Sequence, residues 1–321
     1  MSFESSTRLR ARLLTPAARN AARERIATVL DITGRPATGM PIDDLVAAFD
    51  SFARAELWLA LAVLHGELPV ASELRRIRRL RELDGSWAAL GRTLRLATSG
   101  SHYPTVVVVG ADTTLMDVSG LLPDHAPREG RGIARAIARE WGAVAGVVPV
   151  TWGLGGRSLR ALTAVEASSI GLPAPRFDSS LVLVPHDSAY VLLGTVDKPR
   201  SSECLIALGQ ASHNATSSVG YGLHPLVSSQ AYARQEGEER FSWHVAAQRS
   251  FAHLAVVGDS VIEHYKGWEQ MLPAIGLTGP VLHEVPLPPR TSGVVDVERE
   301  RSEWHALSRT VGSLIGIHQN D

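Results

Sequence analysis

The stretch that decides the fold is Thr105-Val-Val-Val-Val-Gly-Ala-Asp-Thr-Thr-Leu-Met-Asp-Val-Ser-Gly120. Its run Thr105 to Val109 is β-branched and apolar, and a second apolar run, Leu115 to Val118, follows within a few residues. Short β-branched runs bounded by Gly and Asp read as buried strands. Downstream, a Gly-rich turn from Arg128 to Gly132 opens the helical run Ile133 to Trp141, which leads into the apolar run Val144 to Val150. Further strands are expected at Leu181 to Val184, Tyr190 to Leu193, Val219 to Leu223 and Leu254 to Val257, with a long amphipathic helix from about Glu238 to Ala252. Alternation of this kind predicts an α/β fold: a Rossmann-like, mainly parallel sheet with helices on both faces.

Upstream the texture differs. From Pro16 to about Leu96 the apolar residues Ile42, Leu45, Val46, Phe49, Phe52, Leu57, Leu61 and Leu64 recur near the helical period, and no strand pattern occurs. Breaks at Thr33 to Pro36, Gly66 to Pro69 and Asp84 to Gly85 delimit three or four short helices. The expected organisation is a small all-α bundle over 1–100, the Rossmann-like domain over 101–290, and a helical tail over 291–321. The arginines at 75, 76, 78, 79 and 81 form the one strongly basic patch. With Leu74, Ile77 and Leu80 as a buried stripe they make a solvated helix face, although nucleic acid or an acidic lipid would find the same surface.

Composition narrows the function. The 321 residues hold 32 basic and 33 acidic side chains, a net charge of −1, so no bulk attraction to nucleic acid is expected. Cys204 is the sole cysteine, so neither an internal disulfide nor a thiolate zinc site is expected, and the histidines lack metal-ligand spacing. No metal and no bound cofactor are predicted. The opening MSFESSTRLRARLL has no signal-peptide apolar core, and the apolar runs are far shorter than the roughly 20 residues that span a bilayer. The expected setting is cytoplasmic, with no transmembrane segment.

Ligands of open α/β sheets bind beyond the carboxyl ends of strands, which directs attention to strand-to-helix turns. In Glu129-Gly130-Arg131-Gly132-Ile133 two glycines let backbone amides approach a ligand, and the helix N-terminus favours an anion. A diphosphate suits it, with Arg131 and Arg135 adding charge-assisted bonds; a surface turn with solvated arginines is the plainer reading. Gly153-Leu154-Gly155-Gly156 lacks the full dinucleotide fingerprint and reads as a loop. His186 and Asp187, after a strand, are candidates for a general base with its carboxylate, yet neighbours on an extended chain point apart. Ser260 is expected to cap a helix starting at Val261, or to contact a ligand there.

The order of these turns resembles the N-terminal, acceptor-binding domain of bacterial GT-B glycosyltransferases of the retaining, nucleotide-sugar-dependent kind. Leu115-Met-Asp-Val-Ser119 with Gly132-Ile-Ala-Arg135 is similar to that family's opening stretch. Val148-Pro-Val-Thr-Trp152, Leu162-Thr-Ala164, Gly171-Leu-Pro173, Val219-Gly-Tyr-Gly-Leu-His-Pro-Leu226, Arg240-Phe241 and the turn Val257 to Ser260 follow in the same order. The resemblance implies a glycan or glycolipid acceptor, a nucleotide sugar as donor, and donor-diphosphate contacts at Gly130, Gly132 and Arg135. Two family motifs differ: an acidic residue is replaced by Gly222, and an acidic Pro-Glu by Gly194-Thr195. The family's donor domain would begin near Val311-Gly-Ser313, and its Glu-x7-Glu pair does not occur in this sequence, nor does an Asp-x-Asp. The resemblance therefore implies an acceptor-side half that is inactive or dependent on a partner, either a donor-domain polypeptide or a second copy. The alternative is a non-enzymatic module that binds protein or glycan.

Overall fold

The computed structural model describes residues 16–35, 48, 51–84, 105–123, 131–196, 198–223, 235–287 and 297–314. At its centre is a nine-stranded sheet in the order β1-β5-β4-β3-β2-β6-β7-β8-β9. The strands are β1 (Val106–Val109), β2 (Thr114–Asp117), β3 (Val147–Trp152), β4 (Leu159–Ala161), β5 (Val182–Pro185), β6 (Ala189–Leu192), β7 (Ala215–Gly220), β8 (His253–Val257) and β9 (Val281–Val285). Only β4 pairs antiparallel, against both β3 and β5; every other pairing is parallel. The α/β, Rossmann-like reading of the sequence holds.

Nine α-helices are described: α1 (Pro16–Ile32), α2 (Arg54–His65), α3 (Ala71–Asp84), α4 (Arg131–Gly142), α5 (Ala164–Ile170), α6 (Pro199–Ala211), α7 (Gln235–Arg249), α8 (Asp259–Ala274) and α9 (Val297–Leu314). Strand alternation assigns them to two faces. Leu115, Tyr190 and Leu192 point into a core shared with α1, α2, α3 and α6, whereas Met116, Val191 and Leu193 point into one shared with α4, α5 and α9. Side chains of successive strand residues leave opposite faces, so strands buried on both sides are apolar at nearly every position.

The N-terminal helices are present where expected, but their core is not separate. Ile26, Leu30, Leu57, Leu61 and Leu64 lie in one continuous cluster with Leu183 and Val184 of β5 and Cys204, Leu205 and Leu208 of α6. The described helices thus form a layer on the sheet as well as packing on one another. On α3, Leu74 and Ile77 are buried while Arg75, Arg76, Arg78 and Arg79 are exposed, which is the solvated face anticipated for that patch.

Besides the short β3-to-β4 link, two strand-to-strand connections carry no helix. The chain passes from β1 to β2 through residues 110–113, and from β5 to β6 through 186–188. Backbone bonds bridge both breaks, from His186 N–H to Val109 O (2.9 Å) and from Ala189 N–H to Thr113 O (3.2 Å). The pairs β1/β5 and β2/β6 are thereby two lengths of one interrupted parallel ribbon. From β2 the chain moves through α4 to β3 on one side, while β6, β7, β8 and β9 advance on the other. The order reverses between β2 and β6, and ligand crevices of open α/β sheets open at such a reversal.

Candidate functional site at the carboxyl end of β2 and β6

Asp117 ends β2 at this reversal and is 1% exposed. Its Oδ1 accepts from the Ser119 backbone N–H (2.9 Å) and hydroxyl (2.6 Å); its Oδ2 accepts from Trp152 Nε1 (2.8 Å) and the Tyr190 hydroxyl (2.5 Å). Thr151 adds a second layer by donating its hydroxyl to Ser119 Oγ (3.1 Å). Burying a carboxyl group is costly unless donors surround it, and here both oxygens have two. Tyr190 is fully buried; burial first, then the charge and acceptor of Asp117, push its hydroxyl well above the ordinary range, so it remains a donor.

The loops after β2 and β6 meet directly above this cluster. A Cβ on Gly120 would lie 2.6 Å from Thr195 N, and one on Gly194 would lie 2.9 Å from Gly120 Cα. Glycine at both positions is what permits the backbones to cross. Gly194-Thr195 stands where the resemblance expected a Pro-Glu; the crossing leaves no room for a side chain at Gly194. Below the crossing is a small cavity of about 40 Å³ lined by Asp117, Ser119, Thr151, Trp152, Thr195 and Lys198, among others. It is large enough for water and too small for a sugar.

Beside it, α4 begins with Arg131 and Gly132, and a Cβ on Gly132 would meet nothing within 4 Å. Arg135, one turn in, donates from Nη2 to Leu121 O (3.3 Å), which ties it to the loop after β2. Its Nε is buried without a hydrogen-bond partner among the described residues. A buried guanidinium N–H left unpaired costs free energy that an incoming anion would recover. Tyr221, which follows β7 at the same end of the sheet, likewise has a buried hydroxyl without a partner among the described residues, and burial raises it well above its usual value. Gly130 falls outside the described residues, and of the Arg131 side chain nothing is described.

His186 and Asp187 lie elsewhere. They form the turn between β5 and β6, at the amino end of β6 and thus at the opposite end of that strand from Thr195. His186 Nε2 and Asp187 Oδ2 do approach to 3.6 Å, and His213 Nδ1 stands 3.9 Å from Asp187 Oδ1. Asp187 is 55% exposed at its side chain and holds φ of 49°. That left-handed value swings its side chain back toward His186, which an extended chain would have prevented. The pair therefore meets, but in solvent and away from the crevice.

Ser260 does not cap a helix. The helix α8 starts at Asp259, its N-cap position is Gly258 at φ 103°, and no side chain caps it, because Ser260 is already inside the first turn. Ser260 is exposed near the carboxyl end of β8, two strands from the crevice. The loop Gly153 to Ser158 is a hairpin between β3 and β4, closed by Gly153 N–H to Ser158 O (2.8 Å), with no helix following to present amides to a dinucleotide.

A larger cavity of about 340 Å³ lies between the end of α4, β3, β4, α5 and the segment Pro173 to Arg176, and is lined mostly by Ala, Val and Pro. Among the described residues no group of three or more His, Cys, Asp or Glu side chains is placed to hold a metal ion, and no helix is long and apolar enough to cross a membrane. No protein-family description matches the sequence, and neither a curated protein nor a solved structure matches it significantly.

Proposed function

We infer that this chain is a glycosyltransferase-like protein: the acceptor-side, Rossmann-like half of a sugar transferase that uses a nucleotide sugar. The observation that carries the reading is Arg135. Its guanidinium sits in the first turns of α4, at the carboxyl end of the strand where the sheet order reverses, with a buried N–H that has no acceptor among the described residues. A helix N-terminus, an open glycine at 132 and an unsatisfied arginine together suit the diphosphate of a nucleotide sugar. The resemblance of Leu115 to Ser119 and Gly132 to Arg135 to the GT-B pattern points to the same ligand. Thr195 and Lys198, across the small cavity from Asp117, are then on the side where an acceptor hydroxyl would approach.

The chain's own contribution would be positional. The Asp117 cluster fixes the loops after β2, β3 and β6, and Arg135 holds the phosphates, both of which reduce the freedom lost when donor and acceptor meet. A second Rossmann-like domain, from another polypeptide or another copy, would grip the nucleotide.

One observation favours the alternative, a non-enzymatic protein- or glycan-binding module. Both oxygens of Asp117 are occupied by donors, so the buried carboxylate at the crevice is not free to act as a base. The two readings separate experimentally. Inorganic pyrophosphate and a panel of nucleotide sugars are titrated calorimetrically into the wild type and Arg135→Ala, and the same proteins are applied to a glycan array. The transferase-half reading expects diphosphate binding that weakens at least tenfold in the variant. Glycan binding unaffected by Arg135→Ala, with no diphosphate binding, would establish the module instead.

A further inference from the structure

A second cluster stands at the far edge of the sheet. His253 opens β8 and His283 lies in β9, on diagonal positions of one face, since His253 pairs with Val281 and Ala255 pairs with His283. Their ring nitrogens, His253 Nδ1 and His283 Nε2, are 3.0 Å apart. The ring centroids are 5.2 Å apart and the planes tilt by 40°. Strand alternation puts both on the side of Ala255, Val257 and Val285, the face covered by α4 and α9. Both rings are only partly buried. The nearby Lys266 to Glu284 ion pair (3.0 Å) belongs to the other face, since Glu284 is the strand neighbour of His283 and Lys266 is on α8.

We propose that His253 and His283 form a binding site for a late first-row divalent cation, taken best as Cu²⁺, with water completing its coordination. Two imidazole nitrogens bound at about 2.0–2.1 Å to one ion are about 2.9 Å apart when cis at a right angle and about 3.4 Å apart in a tetrahedron. The observed 3.0 Å is a hydrogen-bonding distance between the two rings, close enough for one ion to take the place of the shared proton, and among the late first-row divalent ions Cu²⁺ has the highest affinity for such nitrogen ligands. Two nitrogens this close share one proton at most while both rings are neutral, so lone-pair density is already directed into the gap. Small rotations about the side-chain torsions turn the two lone pairs from each other onto a common point. The rigid part of the site is the parallel β8/β9 register, continuous from His253↔Val281 to Val257↔Val285. No third His, Cys, Asp or Glu completes the set among the described residues, which makes this an open, water-bearing site in place of a closed structural one.

The test uses the full chain, free of any affinity tag, and the metal ion alone. CuCl₂, NiCl₂ and ZnCl₂ are titrated at pH 7.5 into the wild type, His253→Gln, His283→Gln and, as a control, His213→Gln. The expected result is a 1:1 component, tightest for Cu²⁺, that weakens at least tenfold in either pair variant and is unchanged in the control. A companion measurement on the wild type needs no variant to fold: substoichiometric Cu²⁺ should broaden backbone amide signals around 253–255 and 281–285 first. Absence of a 1:1 component, its survival in both pair variants, or broadening centred at Asp187 and His213 would overturn the proposal.

Discussion

At the carboxyl end of β6, Asp117 is 1% exposed and both its oxygens are filled by donors from three different strands or loops; at the amino end of the same strand, Asp187 is 55% exposed and faces two histidines at 3.6 and 3.9 Å. Each region joins a carboxylate to polar partners, but only one excludes water. In the buried cluster every donor would be orphaned if the acceptor left, whereas at the turn solvent replaces whatever is lost. Chemical adjacency in the sequence is thus a poor guide to which pair matters. His186 and Asp187 are neighbours in the chain and optional to the fold, while Asp117, Trp152 and Tyr190 are far apart in the chain and mutually dependent.

The contrast is sharpest under substitution. Asp117→Ala leaves the buried donors of Ser119, Trp152 and Tyr190 unpaired and should cost about 3–5 kcal/mol of stability, a magnitude typical of breaking a buried charged network; urea unfolding monitored by tryptophan fluorescence measures it. A loss below about 1 kcal/mol would mean that water enters the crevice freely. Gly120→Ala drives a methyl group to 2.6 Å from Thr195 N and should cost about 1–3 kcal/mol as the two loops separate. The same unfolding assay reads it, and Gly194→Ala should not add fully to it, because the two glycines share one contact.

A third effect is set by pH. Arg160 donates to both oxygens of Glu166 (2.8 and 2.7 Å), outweighing its partial burial, and the Thr163 backbone N–H adds a bond, so the Glu166 carboxyl falls to about 2 from an ordinary 4.5. A depressed folded-state pKa contributes stability above the unfolded value and loses it as the carboxylate protonates. The difference in stability between the wild type and Glu166→Gln should therefore be full above pH 4.5 and shrink as pH falls toward 2, as equilibrium unfolding at stepped pH would show. A difference independent of pH would place the role of Glu166 in packing alone. The smallest effect is expected at the exposed turn. Asp187→Gly relieves a left-handed backbone at φ 49° while surrendering solvent-screened contacts to His186 and His213, so its stability should change by less than about 1 kcal/mol in either direction. A loss comparable to that of Asp117→Ala would erase the distinction between the two ends.

Much of the framework was legible because buried parallel strands are apolar at successive positions. The runs at 105–109, 181–184 and 254–257 fall on β1, β5 and β8 to within a residue or so. β7 was read too late in the chain: its sequence Ala-Thr-Ser-Ser-Val-Gly is polar, yet Thr216, Ser217 and Ser218 are buried, with Gln248 Nε2 donating to Ser218 Oγ (2.9 Å). α5 went unread although Thr163 and Glu166 form a capping box, a local signal that was available. β9 and the short β4 carry too few apolar residues for periodicity to reveal them. Of the candidate site, the turn holding Gly132 and Arg135 was singled out from glycine and charge. Tyr190 was read as part of a strand and Trp152 as part of the family resemblance, neither with a role, since only the pairing of β3, β2 and β6 brings them to Asp117. Ser260 was misplaced by two residues because Gly258, at positive φ, takes the cap position.

The central claim is that the carboxyl end of β2, with Arg135, receives a diphosphate. Backbone amide NMR of the wild type during titration with inorganic pyrophosphate and then a nucleotide sugar tests it most directly. The account predicts shifts concentrated at Leu121, Gly132 to Arg135 and Thr195, absent in Arg135→Ala and leaving Asp187 and His213 unmoved. Shifts centred on the 186–188 turn, or none at millimolar ligand, would contradict it.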